Sequence, residues 1–180
     1  DFVLADVSGV QRSVTLRAAQ ITKTPVQNVS TIDTPSGRVG YMTFNDHIDP
    51  SEGQLVTAFT QLQSQGVSDL VLDLRYNGGG YLYIASQIGY MVAGSTRTVG
   101  KTFERLQFSD RRAADTNDPE SNTPFYNVAS GRPNTSTTAN APLPTLNLNR
   151  VYVLASPGTC SASEAIVNGL RGVDVEVVLV

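Results

Sequence analysis

Two segments of the chain each run from an apolar strand-like stretch through a tight turn into an amphipathic helical pattern. They cover residues 67–93 and 150–171. The nearly continuous apolar run Leu70–Leu74 is typical of a strand that is buried on both faces of a parallel sheet. Strands that alternate with helices pair in parallel through right-handed crossovers. The repeat therefore predicts an α/β protein with a mostly parallel sheet, closed by a last strand over Val175–Val180.

The residues before this repeat predict two further strands and a helix. Residues 10–18 alternate between apolar and polar side chains, as in a half-exposed strand. Residues 21–36 are rich in Thr, Ser and Pro and are interpreted as a connector. Val39–Phe44 predicts a strand. A capping-box pattern that begins at Ser51 predicts the start of a helix that ends near Gly66.

A polar excursion over residues 106–149 separates the two β-α units. It is too long for a plain connection and is rich in Asn, Thr, Ser, Asp and Pro. Short strands are expected in it or at its edges, over residues 97–108 and 125–128. A surface insertion without function and a cover over the substrate fit this composition equally well.

Composition excludes several classes of function. Only 16% of the 180 residues are charged and the net charge is −3, which argues against a nucleic-acid partner. The single cysteine, Cys160, rules out an intramolecular disulfide. The single histidine, His47, rules out a His-rich metal site, and we expect it on the surface or in a hydrogen bond. We expect neither a metal nor a cofactor.

The turn after the strand that begins at Val151 places small hydroxyl and thiol side chains at the start of a helix. Backbone N–H groups and the positive end of the helix dipole lie at such a position, here beside Ser161. An acyl-transfer enzyme needs this environment, because negative charge develops next to its nucleophile. Ser161 and Glu164 also form a capping-box pattern, however, so Ser161 could equally serve only as a helix cap.

A triple glycine, Gly78–Gly80, follows the other predicted buried strand and opens its helix. Bare N–H groups at this edge of a sheet can bind phosphate, but the dinucleotide and P-loop fingerprints are both absent. They can also form half of an oxyanion hole, if a glycine N–H and the Ala162 N–H converge on one carbonyl oxygen. An ordinary glycine-rich turn is the simpler alternative for this motif by itself.

The two motifs together resemble those of a known family. Residues 72–80, Leu-Asp-Leu-Arg-Tyr-Asn-Gly-Gly-Gly, are similar to the D-L-R-x-N-x-G-G signature of the C-terminal processing, or tail-specific, serine peptidases of family S41. Residues 156–164 resemble the nucleophile segment x-S-A-S-E of these peptidases. The resemblance covers residues 37–180. Residues 1–20 are similar to the last strand of the PDZ-like domain that commonly precedes such a core.

The resemblance implies a ClpP/crotonase-like fold and a set of site residues. Ser161 corresponds to the nucleophile, and the oxyanion hole corresponds to the Ala162 N–H with the N–H of Gly79 or Gly80. It also implies a protein or peptide substrate that is cut near its C-terminus. The setting it implies is extracytoplasmic, in the bacterial periplasm or cell envelope.

The sequence departs from the family pattern at the general base. The family's lysine lies just after the strand that corresponds to Val175–Val180, where this sequence ends, and neither Lys23 nor Lys101 occupies the matching position. A serine hydroxyl needs such a base at neutral pH. We therefore expect the 180-residue chain alone to be inactive. Gly78 also replaces the proline that is common in the glycine motif.

Two alternatives keep the fold and change the function. In the first, catalysis is lost, Ser161 is only a helix cap, and the domain binds peptides or hydrophobic ligands. In the second, a crotonase-type enzyme uses the same oxyanion geometry on an acyl-CoA thioester. The second ranks last, because no carboxylate pair is placed for it and S-A-S-E is unnecessary there.

Overall fold

The computed structural model describes all 180 residues as an α/β protein. The strands are β1 (Phe2–Ala5), β2 (Gln11–Val14), β3 (Val26–Thr34), β4 (Gly37–Phe44), β5 (Asp69–Asp73), β6 (Thr102–Arg105), β7 (Asn122–Pro124), β8 (Arg150–Leu154) and β9 (Glu176–Leu179). The helices are α1 (Asp49–Ser64), α2 (Leu82–Ala93), α3 (Ser95–Thr98), α4 (Ala113–Asn117) and α5 (Ala162–Arg171), with two 3-10 turns at Asp110–Arg112 and Pro119–Ser121. None of the five helices has the length and apolar character needed to span a bilayer.

The central sheet has five strands in the order β3-β4-β5-β8-β9. The four strands β4, β5, β8 and β9 are parallel, and only β3 is antiparallel to its neighbour. This arrangement confirms the mostly parallel sheet that the repeated β-α order predicts. Since β4, β5 and β8 are adjacent and parallel, their carboxyl ends lie at one edge of the sheet.

Three helices cover one face of this sheet. The chain crosses from β4 to β9 in a single direction through α1, α2 and α5, and right-handed crossovers of this kind place the helices on the same side. Apolar stripes on the helices meet the sheet at fully buried residues such as Phe59, Ile88 and Ile166. On the other face Val71 is only half-buried, so β5 is less deeply buried than its apolar run predicts.

The start of the excursion is packed against the helix pair α2–α5 by one aromatic side chain. Phe103 of β6 lies against Gly89 of α2 and Gly169 of α5, where a Cβ atom would come within 3.1 Å and 2.4 Å of its ring. Phe125 stacks edge-on against Phe103 at 5.2 Å between ring centroids. Glycine at both helix positions therefore makes room for Phe103.

Three expectations on local structure differ wholly or in part from the structure. The connector predicted over 21–36 contains strand β3, a polar edge strand joined to β4 by a tight turn at Pro35 and Ser36. Helix α1 begins at Asp49 rather than Ser51, whose hydroxyl accepts the Ile48 N–H and donates to the Asp46 carbonyl. The strand expected within residues 97–108 is present as the shorter β6, whereas the second short strand is β7 and not 125–128.

The first residues form a hairpin outside the central sheet. β1 and β2 pair only with each other, and none of their residues is buried. The predicted strand over residues 10–18 is thus present in part, as β2. Apolar side chains such as Phe2 and Val3 are more than half exposed on this hairpin.

Candidate active site

Three loops meet at the carboxyl edge of the sheet. They follow β4, β5 and β8 and contain residues 45–48, 74–81 and 155–161. Hydrogen bonds tie the last two together, because the hydroxyls of Ser156 and Thr159 donate to the carbonyls of Arg75 and Leu74. Binding sites in open α/β sheets are found at this edge, as the sequence predicts for the two motifs.

Ser161 occupies a strained position at the N-terminus of α5. Its φ of 55° and ψ of −119° lie in a region that residues other than glycine rarely adopt, at a cost of about 1–3 kcal/mol. The side chain is exposed. The turn is stabilised by the Ser161 N–H, which donates to Glu164 Oε2 at 2.7 Å. Sharp strand-to-helix turns of this kind present a nucleophile at the top of a sheet.

The helix-cap alternative for Ser161 is met only in part. The capping-box arrangement is present, and its closed hydrogen bond is the one that Glu164 accepts. The Ser161 hydroxyl makes no side-chain cap hydrogen bond to the helix backbone. The hydroxyl is therefore left available for chemistry.

The glycine turn after β5 is pressed between two neighbouring segments. Gly79 has a φ of 105°, and a Cβ atom there would lie 2.8 Å from the Cβ of Ser161. Gly80 has a φ of 132°, and its Cβ atom would lie 2.4 Å from the carbonyl oxygen of His47. Both positions therefore require glycine, for backbone conformation and for space alike. The turn separates His47 from Ser161.

The two glycines differ in whether their N–H groups are free. The Gly79 N–H donates to Asn77 Oδ1 at 3.0 Å. The N–H groups of Gly80 and Ala162 have no partner within the protein. Gly79 is buried, whereas Gly80 is exposed beside Ser161. Of the two glycines that the sequence offers as donors, Gly80 is thus the one whose N–H can still donate a hydrogen bond to a ligand.

A cavity of about 510 Å³ opens beside these groups. Its lining residues come from the glycine turn, β6 and α5: Gly80, Leu82, Phe103, Glu104, Ser161, Ala162, Glu164, Ala165 and Asn168. Ser161, Gly80 and Ala162 therefore face one space, which is large enough for a substrate group. No residue of the excursion proper, 106–149, lines this cavity; the contribution comes from β6 just before it.

Asn77 joins the parts of the site and was not assigned a role from sequence. It is fully buried. Its Nδ2 donates to the Phe44 carbonyl at 2.9 Å, and its Oδ1 accepts from Gly79 and from His47 Nδ1. Its position in the glycine motif was visible in the sequence, but its contacts lie up to 86 residues away along the chain.

His47 is buried and hydrogen-bonded, and a hydrogen bond is one of the two environments that the sequence led us to expect for it. Nδ1 lies 2.9 Å from Asn77 Oδ1, while Nε2 is buried without a partner. Burial lowers the pKa of His47 to about 4, although the bonds to Asn77 and Gly79 and the nearby Asp46 act in the opposite direction. The imidazole is therefore neutral at physiological pH.

The Asp73–Arg75 pair gives the D-L-R motif a structural role. The buried Asp73 carboxylate accepts from the Arg75 guanidinium at 2.7 Å and from the Tyr41 hydroxyl at 2.9 Å. Its hydrogen bonds with Arg75 lower the pKa of Asp73, against the effect of burial. Asp73 is thus ionised at neutral pH and fixes the turn after β5 through Arg75, whose carbonyl accepts the Ser156 hydroxyl.

No lysine lies at the cavity. Lys23 is an exposed residue paired with Asp46 at 3.1 Å. Lys101 borders a different cavity, near the end of α2. Val180 lies at the same edge as the site, because its carbonyl accepts the Ala155 N–H at 2.9 Å and Ala155 leads into the Ser161 turn.

The structure is thus an α/β protein with a mostly parallel sheet and an exposed serine at a strand-to-helix turn. The model of peptidase family S41 matches residues 38–179. The chain therefore belongs to peptidase family S41, as its two motifs predict.

The similar proteins include C-terminal processing peptidases. A chloroplastic C-terminal processing peptidase from Tetradesmus obliquus is 29% identical over 158 residues, which cover 84% of this chain and 28% of that protein. The crystal structure of a protein assigned to the S41 proteases, from Bacteroides fragilis, is 28% identical with a TM-score of 0.66. It matches 98% of this chain and 44% of the other. The photosystem II D1 C-terminal processing protease shares the fold, with a TM-score of 0.58 at 21% identity over 96% of this chain and 39% of its own. The chain thus spans less than half the length of these relatives.

Proposed function

We propose that this chain carries the nucleophile and the oxyanion hole of a serine endopeptidase of the C-terminal processing type. The observation that supports this most directly is the grouping of the exposed Ser161 hydroxyl with the unpaired N–H groups of Gly80 and Ala162 along one cavity. Free donors aimed at the position of a developing oxyanion are the main requirement for acyl transfer.

In the proposed reaction, Ser161 Oγ attacks the carbonyl carbon of the scissile peptide bond and passes its proton to a base. The carbonyl oxygen becomes negative and accepts hydrogen bonds from Gly80 and Ala162. The intermediate then expels the amine product, which takes up the proton, and leaves an acyl-serine ester. Water hydrolyses this ester and restores the hydroxyl.

The base in this proposal is a lysine in the polypeptide that follows Val180. Two facts support it: neither Lys23 nor Lys101 lies at the cavity, and Val180 lies beside the strand end that leads to Ser161. His47 is unsuited to this role, since the glycine turn separates it from Ser161. A lysine at a partly desolvated site has a lowered pKa and can take the serine proton. Residues 1–180 alone are therefore expected not to turn over substrate.

The proposed substrate is a protein or peptide that is cut near its C-terminus, in an extracytoplasmic or lumenal compartment. The support comes from the relatives, which include processing peptidases of the chloroplast and of photosystem II. The exposed β1–β2 hairpin within residues 1–20 is proposed to be the end of a PDZ-like domain. The peptidase core then begins with β3 at Val26.

The test is the replacement of Ser161 in the full-length protein. Ser161→Ala is expected to abolish peptide hydrolysis and labelling by a fluorophosphonate, while circular dichroism and the unfolding midpoint remain unchanged. The matched control is Cys160→Ser, which alters the exposed neighbouring side chain and is expected to keep both activities. Hydrolysis that survives in Ser161→Ala would disprove the proposed role. A domain that only binds peptides would leave both proteins equally unlabelled.

A further inference from the structure

We propose that His47 is a positioning residue of this site: its imidazole, which donates from Nδ1, holds Asn77 and through Asn77 the glycine turn that presents the Gly80 N–H to Ser161. The inference rests on the proposed function, because it assigns His47 a part in building the oxyanion hole. His47 touches neither the cavity nor Ser161.

The orientation of the Asn77 amide determines which His47 tautomer is present. Asn77 Nδ2 donates to the Phe44 carbonyl at 2.9 Å, so Oδ1 is the atom that faces Gly79 and His47. An amide oxygen can only accept a hydrogen bond, and His47 Nδ1 must therefore carry the proton. Nε2 is then the unprotonated nitrogen, and it is buried without a partner.

The backbone of His47 binds the same turn on both sides. Its N–H donates to the Gly79 carbonyl at 3.3 Å, and its carbonyl accepts the Tyr81 N–H at 2.9 Å. These bonds turn the Gly80 N–H away from His47. The His47 ring and the His47 backbone therefore fix the glycine turn from one side, with the Asn77 side chain between them.

Asn77 also fixes the segment at the start of α5 that carries Ser161 and the Ala162 N–H. Its carbonyl accepts the buried Ser163 hydroxyl at 3.0 Å and the Cys160 N–H at 3.4 Å. Cys160 and Ser163 flank the Ser161–Ala162 peptide. One residue thus sets the distance between the two N–H groups of the hole, and His47 is the only side chain that donates to the Asn77 side chain.

A donor-acceptor role and a packing role for the ring predict opposite rankings of two variants. His47→Asn places an amide N–H near the position of Nδ1 but removes the ring that packs edge-on against Phe44 at 4.6 Å. His47→Phe keeps a ring for that packing and has no donor. If positioning is the role, Asn retains activity and Phe does not; if packing is the role, the order is reversed.

The experiment measures kcat and KM of the full-length protein with a fluorogenic peptide, together with amide hydrogen exchange in the absence of substrate. We expect His47→Asn to keep kcat within about threefold, and His47→Phe to lower kcat by roughly 30- to 100-fold with little change in KM. This loss is smaller than the roughly 100- to 1,000-fold that follows removal of an oxyanion donor, because the Gly80 N–H is displaced and not removed. The Gly79 amide, which is protected by its hydrogen bond to Asn77 Oδ1, should exchange faster in His47→Phe only. Leu62→Ala, in the buried face of α1, is the control that lowers stability and keeps kcat.

Equal kcat in His47→Phe and the native protein, or a loss in both variants that follows their unfolding midpoints, would overturn the inference. If His47→Phe does not fold, His47→Met serves as the donor-free variant with the same expectation. The hydrogen-exchange measurement separates the positioning role of the His47 ring from a packing role. Ser161-independent hydrolysis would refute the proposed function alone, whereas unchanged exchange of the Gly79 amide would refute the role of His47 alone.

Discussion

Glu52 is the buried carboxylate that holds the polar excursion to the helices, and its removal should release that segment. The side chain is 1% exposed on α1. Oε1 accepts from Gln87 Nε2 at 2.5 Å and from the Ser130 N–H at 2.7 Å. Oε2 accepts the hydroxyls of Ser130 and Thr137 at 2.8 Å and 2.6 Å. Burial by itself raises the pKa of Glu52, but these hydrogen bonds outweigh it and lower the pKa, so Glu52 is ionised at neutral pH.

The cost of two substitutions follows from this geometry. Glu52→Ala leaves the Ser130 N–H without its acceptor and the Gln87 amide nitrogen with only the Val128 carbonyl. Each lost hydrogen bond to the buried carboxylate costs about 1–3 kcal/mol, or about 4 kcal/mol for the pair. Glu52→Gln keeps the oxygen at Oε1, and the two hydroxyls can rotate to accept from its amide nitrogen. Only the charge assistance is lost, so we expect about 1–2 kcal/mol.

Urea unfolding and limited digestion with proteinase K, a protease of broad specificity, measure this prediction. Release of the segment that carries Ser130 and Thr137 should make its backbone accessible to the protease. Cleavage within residues 128–140, located by mass spectrometry, should be fastest in Glu52→Ala, slower in Glu52→Gln and slowest in the native protein. Because the segment does not line the cavity, kcat of the folded protein should stay unchanged. Equal stability of the Ala and Gln variants, or unchanged cleavage, would refute the reasoning.

Two further predictions concern acid and the helix pair. Burial lowers the pKa of His47 from 6.5 to about 4, so the unfolded chain binds the extra proton at a higher pH than the folded chain. The free energy of unfolding should therefore fall as the pH drops from 6.5 toward 4, by about 2.5 kcal/mol at pH 4.5. Urea midpoints of the native protein and His47→Asn at pH 7 and 4.5 measure this term, and parallel pH profiles would contradict it. Gly169→Ala should cost about 2 kcal/mol and raise KM, because its Cβ displaces Phe103 in the cavity wall. Gly172→Ala, whose Cβ meets nothing closer than 3.4 Å, is the control, and equal effects of the two would count against the Phe103 contact.

Sequence reasoning succeeded where the signal is local and failed where a polar segment gains its structure from a neighbour. The helices α2 and α5 and the parallel order of their strands follow from apolar periodicity and β-α alternation. Strand β3 was missed because it is an antiparallel edge strand, with mostly exposed side chains that resemble those of a loop. Helix α1 begins earlier than its capping pattern predicts, because Ser51 bonds back to Asp46 from inside the first turn.

The candidate site also has features that local sequence patterns predicted and features that only the tertiary structure shows. The repeated strand-helix order predicted the mostly parallel sheet. Two short motifs predicted the family and the choice of Ser161, Ala162, Gly79 and Gly80 as candidates, because short-range patterns carry that information. Only the tertiary structure decided that Gly80, and not Gly79, has a free N–H, and that Asn77 and His47 join the loops. Those distinctions depend on which hydrogen bonds close between segments 30 or more residues apart, and no local pattern reports them.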